Sequence, residues 1–303
     1  MRFSIYQDSL IGERQSNQDR MGYCYTRDSL LMLVADGMGG HLHGEIAAQL
    51  ALQAAAVLFQ SQARPRLADP ALFLDLALRR GHREILEFQR ARRLPDAPRT
   101  TIVACVVQQG RAWWAHAGDS RFYWLRDGAL LTRTRDHSKV QSLIDLGLLA
   151  PADADGHPER NKVLNCLGSP FEPTIEVGGP RSLVAGDTLV LCSDGVWGPL
   201  TDSGMVATLG DSGALAGVPT LVRRAVAAGG ATADNATALA LTWEDELDGG
   251  AGVSSELVPD GAITTTIAVG PPDEALPDAI SDDEIERTIR EIREAIARTG
   301  GHR

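Results

Sequence analysis

The sequence predicts an α+β fold, with strands pairing antiparallel and helices gathered in layers of their own. Three observations carry this expectation. Short apolar runs stop at Asp-Gly turns, long Ala- and Leu-rich stretches separate blocks of strands, and strict β-α-β alternation is missing. Residues 30–35 and 188–192 are apolar runs that end beside Asp36-Gly37 and Asp194-Gly195, as buried strands do when they reach a turn. Residues 45–59 and 71–92 are long and rich in Ala or Leu, which favours helix. Residues 112–117 and 121–125 flank Gly118-Asp119-Ser120 and read as a hairpin, after which Asp127-Gly128 turns the chain again. Residues 138–146 open with a capping box, Ser138 to Gln141, and stop at Gly147, a left-handed cap.

A chain of 303 residues with 44% hydrophobic content can bury one sizeable core. Residues 1–243 read as a single domain without internal repeats. No stretch approaches the roughly 18 apolar residues of a membrane span, and the N-terminus lacks an apolar signal core, so a cytoplasmic protein without membrane attachment is expected. Cys24, Cys105, Cys166 and Cys192 form no CxxC pair and sit among apolar neighbours, which suits reduced, buried thiols.

The net charge of −11 argues against a nucleic-acid partner. Residues 244–303 carry 15 acids and 5 bases, so the excess belongs to the tail and the body is close to neutral. Residues 244–281, rich in Gly, Pro, Asp and Glu, read as a flexible linker. In residues 282–303, Ile285, Ile289, Ile292 and Ile296 recur at helical spacing, with acids first and arginines later. That pattern fits an amphipathic C-terminal helix, either solvated or partner-binding.

Six aspartates precede glycine: Asp36, Asp127, Asp155, Asp194, Asp248 and Asp260. Most such pairs are turns for local reasons. Asp36 and Asp194 differ because they end apolar runs, which puts a carboxylate beside the core. If these two and Asp234 converge at about 4–5 Å, each pair repels by roughly 3–4 kcal/mol at an effective dielectric of 20. Cations or raised pKa values would relieve that repulsion. Oxygen ligands select magnesium or manganese. Two such ions about 4 Å apart can activate one shared water for in-line attack on phosphorus, without a nucleophilic side chain.

Five runs then fall in order: Arg14-Gln15-Ser16-Asn17-Gln18-Asp19, Val34-Ala35-Asp36-Gly37-Met38-Gly39-Gly40-His41, Gly118-Asp119-Ser120-Arg121, Ser193-Asp194-Gly195 and Asp234-Asn235-Ala236-Thr237. Together with Asp136-His137-Ser138 and His157-Pro158-Glu159-Arg160-Asn161, they resemble the motifs of the protein phosphatase 2C type, the metal-dependent Ser/Thr phosphatases, across residues 3–243. The resemblance implies a four-layer αββα sandwich, two antiparallel sheets flanked by helices. It implies hydrolysis of phosphoserine and phosphothreonine with two Mn2+ or Mg2+ ions. Asp36 would bridge the ions, the Gly37 carbonyl would bind the first, and Asp194 and Asp234 would hold the second. Asp19 would orient water, and Arg14 would clamp phosphate, for which a planar guanidinium is suited. Asp119 would serve a loosely held third ion with Asp194, or else be a turn residue. Phosphorylated proteins would be the substrates of a monomeric enzyme, with a bacterial Ser/Thr kinase as counterpart.

Three positions depart from the family pattern. Met38 stands where many eukaryotic members have histidine, and a thioether cannot donate a proton. Nearby His41, in a glycine-rich turn, reads as structural. Gln18 replaces a common glutamate, and Gly198 stands where a second acid often helps hold the third ion. The alternative to an enzyme is a catalytically weak phosphoprotein-binding regulator of the same fold. Retention of the three metal aspartates and Arg14 favours the enzyme.

Overall fold

The computed structural model describes residues 1–38, 43–154, 156–210, 212–244, 253–259 and 261–267. His41, Asp155, Asp248, Asp260 and the expected helix over 282–303 lie outside them. In chain order the elements are β1 (Arg2–Leu10), β2 (Asp19–Tyr25), β3 (Ser29–Asp36), α1 (Gly44–Gln62), α2 (Pro70–Arg92), β4 (Ile102–Gln108), β5 (Arg111–Ala117), β6 (Arg121–Arg126) and β7 (Ala129–Arg133). There follow α3 (Lys139–Asp145), β8 (Glu176–Ser182), β9 (Thr188–Cys192), α4 (Asp194–Trp197), α5 (Asp202–Leu209), α6 (Gly213–Gly229), β10 (Ala236–Trp243), β11 (Val253–Ser254) and β12 (Thr264–Thr265).

The strands form two six-stranded sheets, ordered β11-β1-β10-β9-β6-β7 and β12-β2-β3-β4-β5-β8, with every pairing antiparallel. Side-chain alternation explains why the central strands are apolar throughout. On β3, Leu30, Met32 and Val34 pack between the sheets with Phe122, Trp124, Leu191 and Leu239. Leu31, Leu33 and Ala35 point the other way, into a layer shared with Ala47, Ala51, Leu74 and Leu78 of α1 and α2. The second sheet face is covered likewise by Val196, Met205, Leu209, Val218 and Leu221 of α4 to α6. Four layers therefore stack helix, sheet, sheet, helix, as the resemblance implies. Small residues set the helix spacing: Gly81 of α2 faces Ala51 of α1, and a Cβ on Gly81 would lie 3.1 Å from the Ala51 Cα.

Two expectations need correction. Gly118-Asp119-Ser120 does not close a hairpin, because β5 belongs to one sheet and β6 to the other. The three residues carry the chain across the sandwich. Gly118 takes φ +114, and a side chain there would collide with Thr101. The Asp127-Gly128 turn does join a hairpin, β6 to β7, with φ values of 51° and 69°.

The second correction concerns the segment read as linker from residue 244. Within it, β11 pairs with β1 and β12 with β2, so residues 253–259 and 261–267 strap the outer edges of both sheets. Buried Ser255 accepts a hydrogen bond from the Met1 ammonium at 3.0 Å and donates to the Arg27 carbonyl at 2.6 Å. Ile267 is buried against β2 in the space left by Gly22, where any Cβ would overlap it. Backbone pairing, the Ser255 hydroxyl and one buried isoleucine hold a stretch whose Gly, Pro and acid content predicts no strand.

Candidate active site

Alternating strand direction brings the start of β2, the end of β3, the β5–β6 corner, the end of β9 and the start of β10 to one end of the sandwich. These positions carry Asp19, Asp36, Asp119, Asp194 and Asp234. Asp19 and Asp36 are direct cross-strand partners, a position in which like charges destabilise a sheet. Gly195 packs against the Asn235 carbonyl, and its added Cβ would lie 3.3 Å from the Asp234 Cβ, which seats Asp194 beside Asp234.

The loops are fixed by hydrogen bonds. Asn235 Oδ1 accepts from the Gln18 N–H at 2.9 Å, and its Nδ2 donates to the carbonyls of Ile11 and Ser16 at 2.8 and 3.0 Å. The 11–18 loop, and with it Arg14, is thereby tied to the start of β10. Thr100 Oγ1 and the Thr101 N–H both donate to the Asp36 carbonyl, at 2.8 and 2.9 Å. The Met38 N–H donates to the Arg99 carbonyl at 3.0 Å. Gly37 must be glycine because Gly44 and the Gln18 carbonyl close on it. The Trp197 indole donates to the Asp119 carbonyl at 2.9 Å. Ser193 and Asn235 stand in the motif runs quoted above without a role of their own, and Thr100 and Trp197 are not marked in the sequence at all. Polar residues next to strand-end aspartates were the available signal for Ser193 and Asn235, whereas nothing local marks Thr100 or Trp197.

The carboxylates perturb one another. Burial, then the charges of Asp19 and Asp194, pushes the Asp36 carboxyl well above the ordinary range. Asp119 is raised by burial and then by Asp194. Asp194 is raised to about 6 by burial and then Asp234, offset in part by a hydrogen bond with Asp36. Asp19 reaches about 7, again through burial, although hydrogen bonds from Thr237 and Ser193 oppose the shift. Ser193 Oγ donates to Asp19 Oδ2 at 2.7 Å, and Asp19 Oδ1 is buried without a partner. Arg14 lies at the mouth and donates to both Asp234 oxygens at 2.7 and 2.6 Å. Among the described residues no Lys or Arg forms an ion pair with Asp19, Asp36, Asp119 or Asp194.

This arrangement fits hard divalent cations. Its ligands are oxygens alone, it concentrates negative charge, and one buried carboxylate oxygen has no donor. Zinc sites instead include histidine or cysteine. Another group, His116, His137 and Glu176, brings three ligand atoms within 4.8 Å of one another. Its hydrogen bonds oppose metal binding. The Asn165 amide is oriented by Thr174, through bonds of 3.0 and 2.8 Å, and donates to His137 Nδ1 at 2.7 Å. The Gly118 N–H points to the same nitrogen at 3.3 Å. His137 Nε2 therefore carries the hydrogen and presents it to Glu176 Oε2, 3.4 Å away, instead of a lone pair. The ring holds Gly118, and so the corner that bears Asp119.

Of the residues expected at the site, Asp19, Asp36, Asp119 and Asp194 come together with Asp234, and Gly37 adjoins them, while Arg14 donates to Asp234 and feels the charges of Asp194 and Asp36. Gly198 is exposed at the end of α4 and adds no acid, and the Met38 backbone borders the group. The chain is 36% identical over 197 residues to the serine/threonine protein phosphatase PstP of Mycobacterium tuberculosis, covering 65% of this chain and 36% of that protein. The chain thus spans about a third of PstP's length. It is 32% identical over 186 residues to the serine/threonine phosphatase stp of Listeria monocytogenes, covering 60% of this chain and 73% of that one. The crystal structure of the PstP catalytic domain in complex with two manganese ions superposes with a TM-score of 0.68 at 32% identity, covering 80% of this chain and 99% of that one. The family signature described as Protein phosphatase 2C matches residues 6–216. With its two-sheet sandwich and its end-on group of aspartates, the chain belongs to the protein phosphatase 2C family.

Proposed function

We propose that the chain is a metal-dependent protein serine/threonine phosphatase whose substrates are phosphorylated proteins, with a Ser/Thr kinase as its counterpart. The observation that carries this reading is the meeting of Asp19, Asp36, Asp119 and Asp194 without a basic partner. Such a group is costly on its own and becomes favourable around cations. Asp36 would bridge two Mn2+ or Mg2+ ions, with the Gly37 carbonyl on the first and Asp194 and Asp234 on the second. Bound there, the ions would supply an activated water and neutralise charge on the phosphoryl group. Asp19 Oδ1, lacking any other donor, would accept a hydrogen from that water and aim it. Arg14 would leave Asp234 and take the phosphoryl oxygens in the same two-pronged geometry. Met38 cannot protonate the departing serine or threonine oxygen, so no side chain at that position acts as general acid. Asp119 would hold a third ion with Asp194. Without an acid at Gly198, that ion would bind weakly.

The test is hydrolysis of a phosphothreonine peptide with manganese by the parent chain and by Asp36→Asn. Loss of the bridging carboxylate should lower kcat/KM about 10²–10³-fold, equivalent to a few kcal/mol of transition-state stabilisation. Equal rates would refute the mechanism. A catalytically weak phosphoprotein-binding regulator would show little turnover in either protein.

We also assign the catalytic body to residues 1–267, and to the acidic remainder a role in restraint or recruitment. Truncation after Ile267 should keep turnover and Tm. Truncation after Trp243 removes the strap and should lower Tm by several degrees, through loss of buried Ile267 and exposure of two sheet edges. Loss of turnover in a folded 1–267 protein would refute the separation of roles.

A further inference from the structure

Glu45 opens α1 next to the site and has no part in the assignments above. Gly44, just before it, packs directly on Gly37, and a Cβ on either glycine would overlap the other's backbone. The Glu45 side chain therefore starts beside the carbonyl assigned to the first ion. Glu45 Oε2 accepts a hydrogen bond from Gln18 Nε2 at 3.2 Å, and Oε1 lies 3.8 Å from His43 Nδ1. Gln18 is itself anchored: its N–H donates to Asn235 Oδ1 at 2.9 Å, and its carbonyl accepts the Gly37 N–H at 3.3 Å. The nearby His43 ring, with the Gln18 amide, holds the Glu45 carboxyl below the usual carboxylate range. Among the described residues no Lys or Arg forms an ion pair with Glu45. A further anion thus stands one residue from the glycine that packs on Gly37.

A first-turn glutamate also gains from the helix dipole. That effect requires no contact with Gln18. The hydrogen bond does more, because with Nε2 committed to Glu45, Oε1 is the amide atom left to accept a hydrogen from water.

We propose that Glu45 is a positioning residue for the first cation: its carboxylate fixes the orientation of the Gln18 amide and supplies the negative charge that a carboxamide at position 18 cannot. The inference rests on the metal assignment made under the phosphatase reading. Carboxylates that act through a hydrogen-bonded partner change metal affinity by about 10–100-fold when removed.

The test is a double-mutant cycle on the full chain, reading the manganese Kd by titration calorimetry and Tm in chelator. Glu45→Gln should weaken manganese binding about tenfold while leaving Tm in chelator unchanged or higher. Gln18→Glu places two carboxylates in contact, so it should lower Tm in chelator and tighten manganese binding. The double variant Gln18→Glu/Glu45→Gln exchanges the two groups, so the carboxylate contact is gone and Tm in chelator should return to the parent value instead of the low value of Gln18→Glu. A Kd for Glu45→Gln within twofold of the parent, or a double variant whose Tm in chelator equals the sum of the singles, overturns the proposal. Asp36→Asn serves as the control for the underlying assignment. If it binds manganese as the parent does, the metal site itself is misplaced. If it loses binding while Glu45→Gln does not, only the role of Glu45 falls.

Discussion

Asp136 and Asp187 are buried aspartates whose charge is answered, whereas Asp19, Asp36, Asp119 and Asp194 face mainly one another. Arg121 donates to both Asp136 oxygens at 2.8 Å, and Arg126 to both Asp187 oxygens at 2.6 and 2.7 Å. The two sets are neighbours. Arg121 lies 3.5 Å over the Trp197 ring, and the Trp197 indole donates to the Asp119 carbonyl. A guanidinium was thus available close to the acid group and is committed to Asp136 instead. The contrast teaches that burial alone does not mark a functional carboxylate; what separates these four from Asp136 and Asp187 is the absence of an ion-paired base. A paired acid stabilises its surroundings, and an unpaired group stores repulsion that an external cation releases.

The largest expected effect tests the paired set. Asp136→Asn leaves Arg121 facing a neutral amide and should cost about 3–5 kcal/mol in urea unfolding, the usual loss when one partner of a buried pair is removed. An unchanged midpoint would erase the distinction between the two sets. Asp36→Asn should act with opposite sign. In chelator at pH 8 it should raise stability by about 1–2 kcal/mol, because it removes one member of a repelling group. Destabilisation there would mean that Asp36 is structural.

A further effect is a slope with pH. Asp194 and Asp19 are raised to about 6 and about 7 in the folded chain, above the ordinary value of 3.8. The folded state therefore binds more protons than the unfolded state between about pH 4 and 7. In chelator, the contribution of these groups is fully present below pH 4 and is lost as pH rises through 6 and 7. Saturating manganese should flatten that slope, since cations favour the ionised carboxylates. Measuring Tm against pH with chelator and with manganese decides it, and identical slopes would separate these acids from metal binding.

Much of this layout is legible in sequence, for identifiable reasons. β3 and β9 are buried on both faces, so apolar runs ending at aspartate mark them. α1 and α2 follow from composition, and the end of α3 from Gly147, which takes φ 69°. The aspartates stand out because they interrupt apolar runs. The β5–β6 corner misleads because a three-residue Gly-Asp-Ser connection looks the same whether the strands pair or part, and only the sheet order distinguishes them. The strap is hidden for another reason. Its hold comes from backbone hydrogen bonds, the Ser255 hydroxyl and a gap at Gly22, and none of these leaves a periodic pattern. Likewise Asn235 and Thr100 act across more than sixty positions of chain.

The strap gives synthesis a direction. β1 and β2 lie within the first 25 residues, yet their outer edges are not covered until residues 253–267 have been made. At the usual pace of translation, about 5–20 residues per second, the nascent chain carries the open outer edge of β2, and a β1 still lacking both its neighbours, for on the order of ten to fifty seconds. During that interval it is exposed to mispairing with other chains, and the arrival of one late segment closes both openings together.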